Sequence, residues 1–444
     1  MAVMEPAGEL SKADSSVRSG QRESAFCIFE KLDGGEYTVY MECMSGRLSR
    51  FCPDGVQDVC TQAEDHRRRE ERIMANIFDY LGWRCDMPFS VDPFNEVDNL
   101  VLAELVYTDF KGIVSMDGRE VSLRDACDAF FRNHTHEEIM ADKSFTARAP
   151  LLMEKMLCGT RYRDLRMCWF LDETDSSREV QIAVITFLLP DQSAYIAFRG
   201  TDGTLVGWKE DFNLSFLPET EGQSRAVRYL NQVGRLVQGT VRVGGHSKGG
   251  NLAVYAAAGC DREVQDRIET VYSNDGPGFQ KEMLSSDGYQ RILSKIASIV
   301  PDTSIIGLLL SSSASQHVIK SSQTGILQHD GFSWEVARNR FVTAELSDLS
   351  LLIKKSLSDW LNQMTDENRR VLTEVIFSLI ESTGADTFSE ISQQKWKSAE
   401  AMMAAIRKVP KEKQTEILSF LQQLGLSGGQ TLTEYISARI RKEQ

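Results

Sequence analysis

Two kinds of hydrophobic spacing divide the chain. Between Ile73 and about Trp334, short apolar runs alternate with segments of helical period. VQIAVITFLL (180–189), SAYIAFRG (193–200), TVRVGG (240–245), IETVYS (268–273) and KIASIV (295–300) predict strands. The turn Pro190-Asp191-Gln192 predicts that the first two form a hairpin. AVRYLNQVGRLVQ (226–238) and NLAVYAAAGC (251–260) predict helices. Strands alternating with helices predict an α/β fold with a mostly parallel sheet covered on both faces.

Outside that stretch the pattern changes. From about Leu346 the strand signal vanishes, and Val371, Leu372, Val375, Ile376, Leu379 and Ile380 recur at helical spacing before Gly384. Further helices are expected around 395–408 and 411–424, so 346–444 is read as a helical appendage to an α/β domain at 73–345. Residues 1–24 are small, polar and charged and predict disorder. Residues 25–72 predict a small extension, in which AFCIFEKL and EYTVYMEC flank Asp33-Gly34-Gly35 as a hairpin. The charged run from His66 to Arg72 reads as a solvated helix face or linker.

Composition narrows the function classes. Apolar residues at 42% and charged residues at 26% allow a large core. A net charge of −14 argues against nonspecific binding to nucleic acid, where cations must neutralise phosphates. The N-terminus lacks the basic start and apolar core of a secretory signal, and no run approaches a membrane span of about 18 residues. Nine scattered cysteines then read as reduced thiols in a cytoplasmic protein. Cys27, Cys43, Cys52 and Cys60 form no C-x-x-C pair, and there is no P-loop, no G-x-G-x-x-G after a strand and no H-E-x-x-H. Neither a metal nor a cofactor is expected.

The chemistry concentrates at Gly245-His246-Ser247-Lys248-Gly249, a G-x-S-x-G between an apolar strand and an alanine-rich helix. A nucleophilic serine needs that context, a sharp strained turn whose flanking glycines keep helix and strand close. The serine also needs a base, then an acid behind the base, in the chain order Ser, acid, His. Of six histidines, His66, His134 and His136 lie upstream, and His246 is directed away from the serine by the turn. His329 is favoured over His317 because it sits in a loop after a possible strand, HVIKSS. Asp302, directly after KIASIVP, is the first choice of acid, and Asp275, after IETVYS, the second. The oxyanion donors are expected from the N–H of Lys248 and from Thr201 in the strand-end loop Phe198-Arg199-Gly200-Thr201, with Arg199 as a structural anchor.

FRGT, WKED (208–211) and GHSKGG together resemble the class 3 lipase branch of the α/β-hydrolases. MANIFDYLGW (74–83), FNEVDNLVLAELVYTDF (94–110), YSNDGPGF (272–279) and SSQTGILQHDGFSW (321–334) extend the likeness to the bacterial Mbeg-like family, over about residues 74–345. The resemblance implies an α/β-hydrolase fold, with Ser247 at the nucleophile position, Thr201 at the oxyanion position and His329 in the terminal His block. Asp302 falls near the lipase acid without the D-x-V-P pattern. Lys248 replaces an apolar residue; beside the nucleophile it would favour an anionic substrate or form a salt bridge. The expected activity is hydrolysis of a carboxylic ester, of a small molecule or a lipid, through an acyl-enzyme. The alternative is a catalytically idle scaffold whose helical tail docks a partner. Oligomeric state is not legible.

Overall fold

The computed structural model describes residues 26–31, 37–42 and 48–50, and residues 75–381 apart from 143, 145, 203, 348, 349 and 352–364. The expected disorder of 1–24, the charged run from His66, Gly384 and the helices after residue 394 lie outside the described residues. Backbone proximity separates two units at Met74/Ala75. In the first, β1 (Phe26–Lys31) pairs antiparallel with β2 (Tyr37–Glu42), which pairs antiparallel with β3 (Leu48–Arg50).

The second unit is built on an eight-stranded sheet, ordered β11-β10-β9-β8-β7-β6-β5-β4. The strands are β4 (Val121–Ser122), β5 (Arg166–Asp175), β6 (Val180–Leu188), β7 (Ala194–Phe198), β8 (Val241–His246), β9 (Ile268–Asn274), β10 (Ile296–Pro301) and β11 (Gln316–Ile319). From β7 to β11 every pairing is parallel; β4 to β7 are antiparallel. The five strands expected from apolar runs all form, and β6 and β7 make the expected hairpin.

Side chains on the central strands alternate between two cores, as a period of two requires. Val180, Ile182, Val184, Ala194, Ile196 and Phe198 face one core; Ile185, Phe187, Tyr195 and Ala197 face the other. Both faces are therefore buried, and such strands read as continuous apolar runs. The second core is closed by α1 (Ile77–Arg84) and α2 (Glu96–Leu105), each opened by an asparagine–aspartate capping box.

The first core is closed by α4 (Glu221–Leu236) and α5 (Lys248–Gly259). Between β7 and α4 runs a shorter helix, α3 (Leu205–Asn213), started by Thr204. Of the helical tail, α6 (Asp366–Glu381) is described; its Phe377 ring is buried edge-on against Phe212, 5.5 Å away. Among the described residues no helix is long and apolar enough to cross a membrane.

Strand β5 was missed by the sequence reading. It pairs with β6 along almost its whole length but breaks register between Cys168 and Leu171, where Trp169 takes φ 51°. A bulge of this kind interrupts the alternation that would have revealed the strand.

Candidate active site

Strand β8 ends at His246 and helix α5 begins at Lys248, so Ser247 makes the whole turn between them. Its backbone sits at φ 58°, ψ −131°, a conformation a non-glycine residue holds only under tertiary constraint. That constraint is visible. Ser247 N–H donates to Asn274 O on β9 at 2.9 Å. A Cβ at Gly245 would lie 2.4 Å from the Gly249 carbonyl carbon, and one at Gly249 would lie 2.1 Å from Phe198 O. Both glycines are thus required for the helix start to press against β7 and β8.

His329 and an aspartate converge above the sheet, and the aspartate is Asp275. Its Oδ2 lies 2.7 Å from His329 Nδ1. Its other oxygen, Oδ1, accepts from Ser304 Oγ at 2.5 Å and from Gly307 N at 3.0 Å. Asp275 is buried and follows β9, the neighbour of the serine's strand, at φ 48°. Asp302, ranked first from the sequence, is engaged elsewhere: its Oδ1 accepts from Gln328 Nε2 at 2.7 Å and from Thr303 Oγ1 at 3.2 Å. Asp302 follows β10, one strand farther from the serine. His317 lies on β11 between Glu96 Oε2 and Thr343 Oγ1, both at 3.2 Å. Ser247 is half-buried, and among the described residues no hydrogen bond joins its hydroxyl to His329. Such bonds commonly tighten only when substrate binds.

The loop after β7 lies against the serine: a Cβ on Gly200 would be 3.0 Å from Ser247 Cβ. Thr201 follows, and its hydroxyl donates to Asp211 Oδ2 on α3. Arg199 anchors the loop through carboxylates, with both Nη atoms 3.2 Å from Asp172 and Nη2 3.4 Å from Asp202.

Lys248 does not face a ligand. Its ammonium is buried and donates to Gln181 O and Oε1, each at 2.8 Å, and to Glu210 Oε2 at 2.9 Å. Of the two roles open from sequence, the salt bridge is realised. Glu210 also accepts from Gln181 N and Gly222 N, so the WKED block bolts α3 to the start of α5 and α4.

Burial pushes the Asp211 carboxyl up to about 6, against opposing pulls from Lys248 and the Thr201 hydroxyl. The unfolded value is about 3.9. Because the folded value is the higher one, ionising Asp211 costs stability as pH rises from about 4 to about 6, on the order of 2–3 kcal/mol above that window. Asp211→Asn keeps an acceptor for Thr201 and carries no charge. Its Tm relative to wild type is expected to rise by a few degrees between pH 4 and pH 7.5 in parallel melts. A difference that does not change with pH would mean that Asp211 ionises in the fold as it does in water.

A mostly parallel sheet with a strained serine between a strand and a buried helix defines an α/β-hydrolase fold. The chain belongs to the Mbeg1-like family, whose model matches residues 156–378. Among solved structures it is similar to the native propeptide complex of Rhizomucor miehei lipase, at 14% identity over 61% of this chain and 76% of that one, with a TM-score of 0.34. It is also similar to M37 lipase, at 16% identity over 40% of this chain and 70% of that one, with a TM-score of 0.28. No curated protein matches the chain.

Proposed function

We propose that the protein is a serine hydrolase that cleaves carboxylic esters through Ser247, His329 and Asp275. The observation that carries this reading is a strained turn at Ser247 whose preceding residue, His246, packs 4.5 Å ring to ring from His329, a histidine whose Nδ1 is 2.7 Å from a buried carboxylate. A carboxylate at Nδ1 fixes the tautomer that leaves Nε2 free to take a proton. In the proposed sequence, Ser247 Oγ attacks the ester carbonyl as its proton passes to His329 Nε2. The oxyanion is held by the N–H groups of Thr201 and Lys248. Collapse expels the alcohol, protonated by His329, and leaves an acyl-serine. Water, deprotonated by the same histidine, then releases the acid.

Thr201 contributes its N–H because its hydroxyl proton is committed to Asp211. Lys248 contributes only its main chain, since its ammonium is spent on Glu210 and Gln181. The Lys248 ammonium is therefore not offered to an anionic ester, and uncharged esters are the proposed class. A fluorophosphonate probe tests the reading. Wild type is expected to label, and labelling is expected to be lost in Ser247→Ala and in His329→Ala. A folded wild type that does not label would favour the idle scaffold instead.

A further inference from the structure

The residue before the serine is a second buried histidine that the steps above do not use. His246 is 3% exposed, and its ring centroid lies 4.5 Å from that of His329. Its Nε2 is 2.7 Å from the main-chain oxygen of His329, and its Nδ1 is 3.2 Å from the Tyr107 hydroxyl. A carbonyl oxygen can only accept, so the ring proton must be on Nε2. Nδ1 then accepts, and Tyr107 must donate. Burial, helped by the neighbouring His329, holds the His246 imidazole well below the usual histidine range, so it stays neutral as this network requires. Glu104, whose Oε1 is 3.6 Å from Nδ1, is driven well above its usual range by burial, so it adds no charge to oppose that state.

The contact bears on geometry. His329 ends a short 3-10 turn, Gly325–His329, whose preceding carbonyl, Gln328 O, accepts from Trp334 Nε1 at 2.9 Å. The two bonds grip consecutive carbonyls, one from His246 at the end of β8 and one from Trp334. We infer that His246 is a positioning residue for His329: donating from Nε2 to the His329 carbonyl, it fixes the distance from β8, and so from Ser247, at which the base stands. This rests on the hydrolase reading proposed above. The strand that presents the nucleophile thereby also sets the base, without touching substrate.

Three variants and one spectrum test it. His246→Leu fills the space without a donor. It is expected to lower kcat for a p-nitrophenyl ester by about a hundredfold with KM within about threefold, a displaced catalytic group being costly even at about 1 Å. His246→Gln keeps an N–H donor and is expected to recover kcat to within about tenfold of wild type. Tyr107→Phe, which frees the tautomer, should fall between them. Equal kcat for folded Leu and Gln variants would overturn the inference, because a merely space-filling role does not distinguish them. Long-range ¹⁵N–¹H spectra of imidazole-labelled protein give a readout independent of turnover. A neutral His246 protonated on Nε2 is expected; a proton on Nδ1 would overturn the clamp. Failure of wild type to react with fluorophosphonate would instead overturn the hydrolase reading, and the tautomer would still decide the clamp.

Discussion

Asp275→Asn is expected to lower kcat on a p-nitrophenyl ester by about 10³–10⁴-fold with KM little changed, whereas Asp302→Asn stays within about threefold of wild type. The size of the first effect follows from what surrounds the carboxylate. Asp275 Oδ1 is held by two donors, the Ser304 hydroxyl and the Gly307 N–H. An asparagine must therefore turn its oxygen to those donors and its NH₂ to His329. A donor facing Nδ1 forces the imidazole proton onto Nε2, and an Nε2–H cannot take the serine proton. Packing and shape are preserved, so the loss should appear in turnover rather than in folding. Asp302 has no such role: its carboxylate takes the Gln328 amide and the Thr303 hydroxyl, and an asparagine oxygen can do the same. Kinetics of both variants, with thermal melts to show equal folding, make the comparison. Comparable losses in the two would remove Asp275 from the proposed triad.

The two aspartates also mark where sequence reading stops. Both follow a buried strand directly, and no local pattern ranks them. What separates them is sheet order: β9 neighbours β8, β10 does not, and His329 meets the residue that follows β9. Order is a long-range property that strand patterns do not carry. The elements that were legible are those with a local cause. Strands β6 to β10 are continuous apolar runs because both faces are buried. The turn at Ser247 was legible because only glycine tolerates 2.1–2.4 Å approaches on either side of it. His246 was dismissed because the turn aims it away from the serine. Its ring instead reaches the main-chain oxygen of His329, with Nε2 2.7 Å away.

Lys248 gives the second large effect, and it is one of stability. Lys248, the residue after Ser247, turns its ammonium to the interior, where Glu210 is the counter-charge and both side chains are about 1% exposed. Breaking a buried pair from one side leaves the other charge without compensation, which typically costs about 3–5 kcal/mol. Lys248→Met is therefore expected to lower Tm by on the order of 10 °C. Adding Glu210→Gln removes the stranded carboxylate, so the double variant is expected to be no less stable than Lys248→Met alone. Losses that simply add would show that the two charges do not interact. The same variant separates the two roles of the residue. A methionine retains the N–H proposed for the oxyanion, so the folded fraction at 20 °C should label with fluorophosphonate at close to the wild-type rate. Its preference between neutral and anionic esters should not move, because the wild-type ammonium is held by Glu210 and Gln181. A selective gain of anionic turnover in wild type over Lys248→Met would mean that the lysine leaves Glu210 during the reaction.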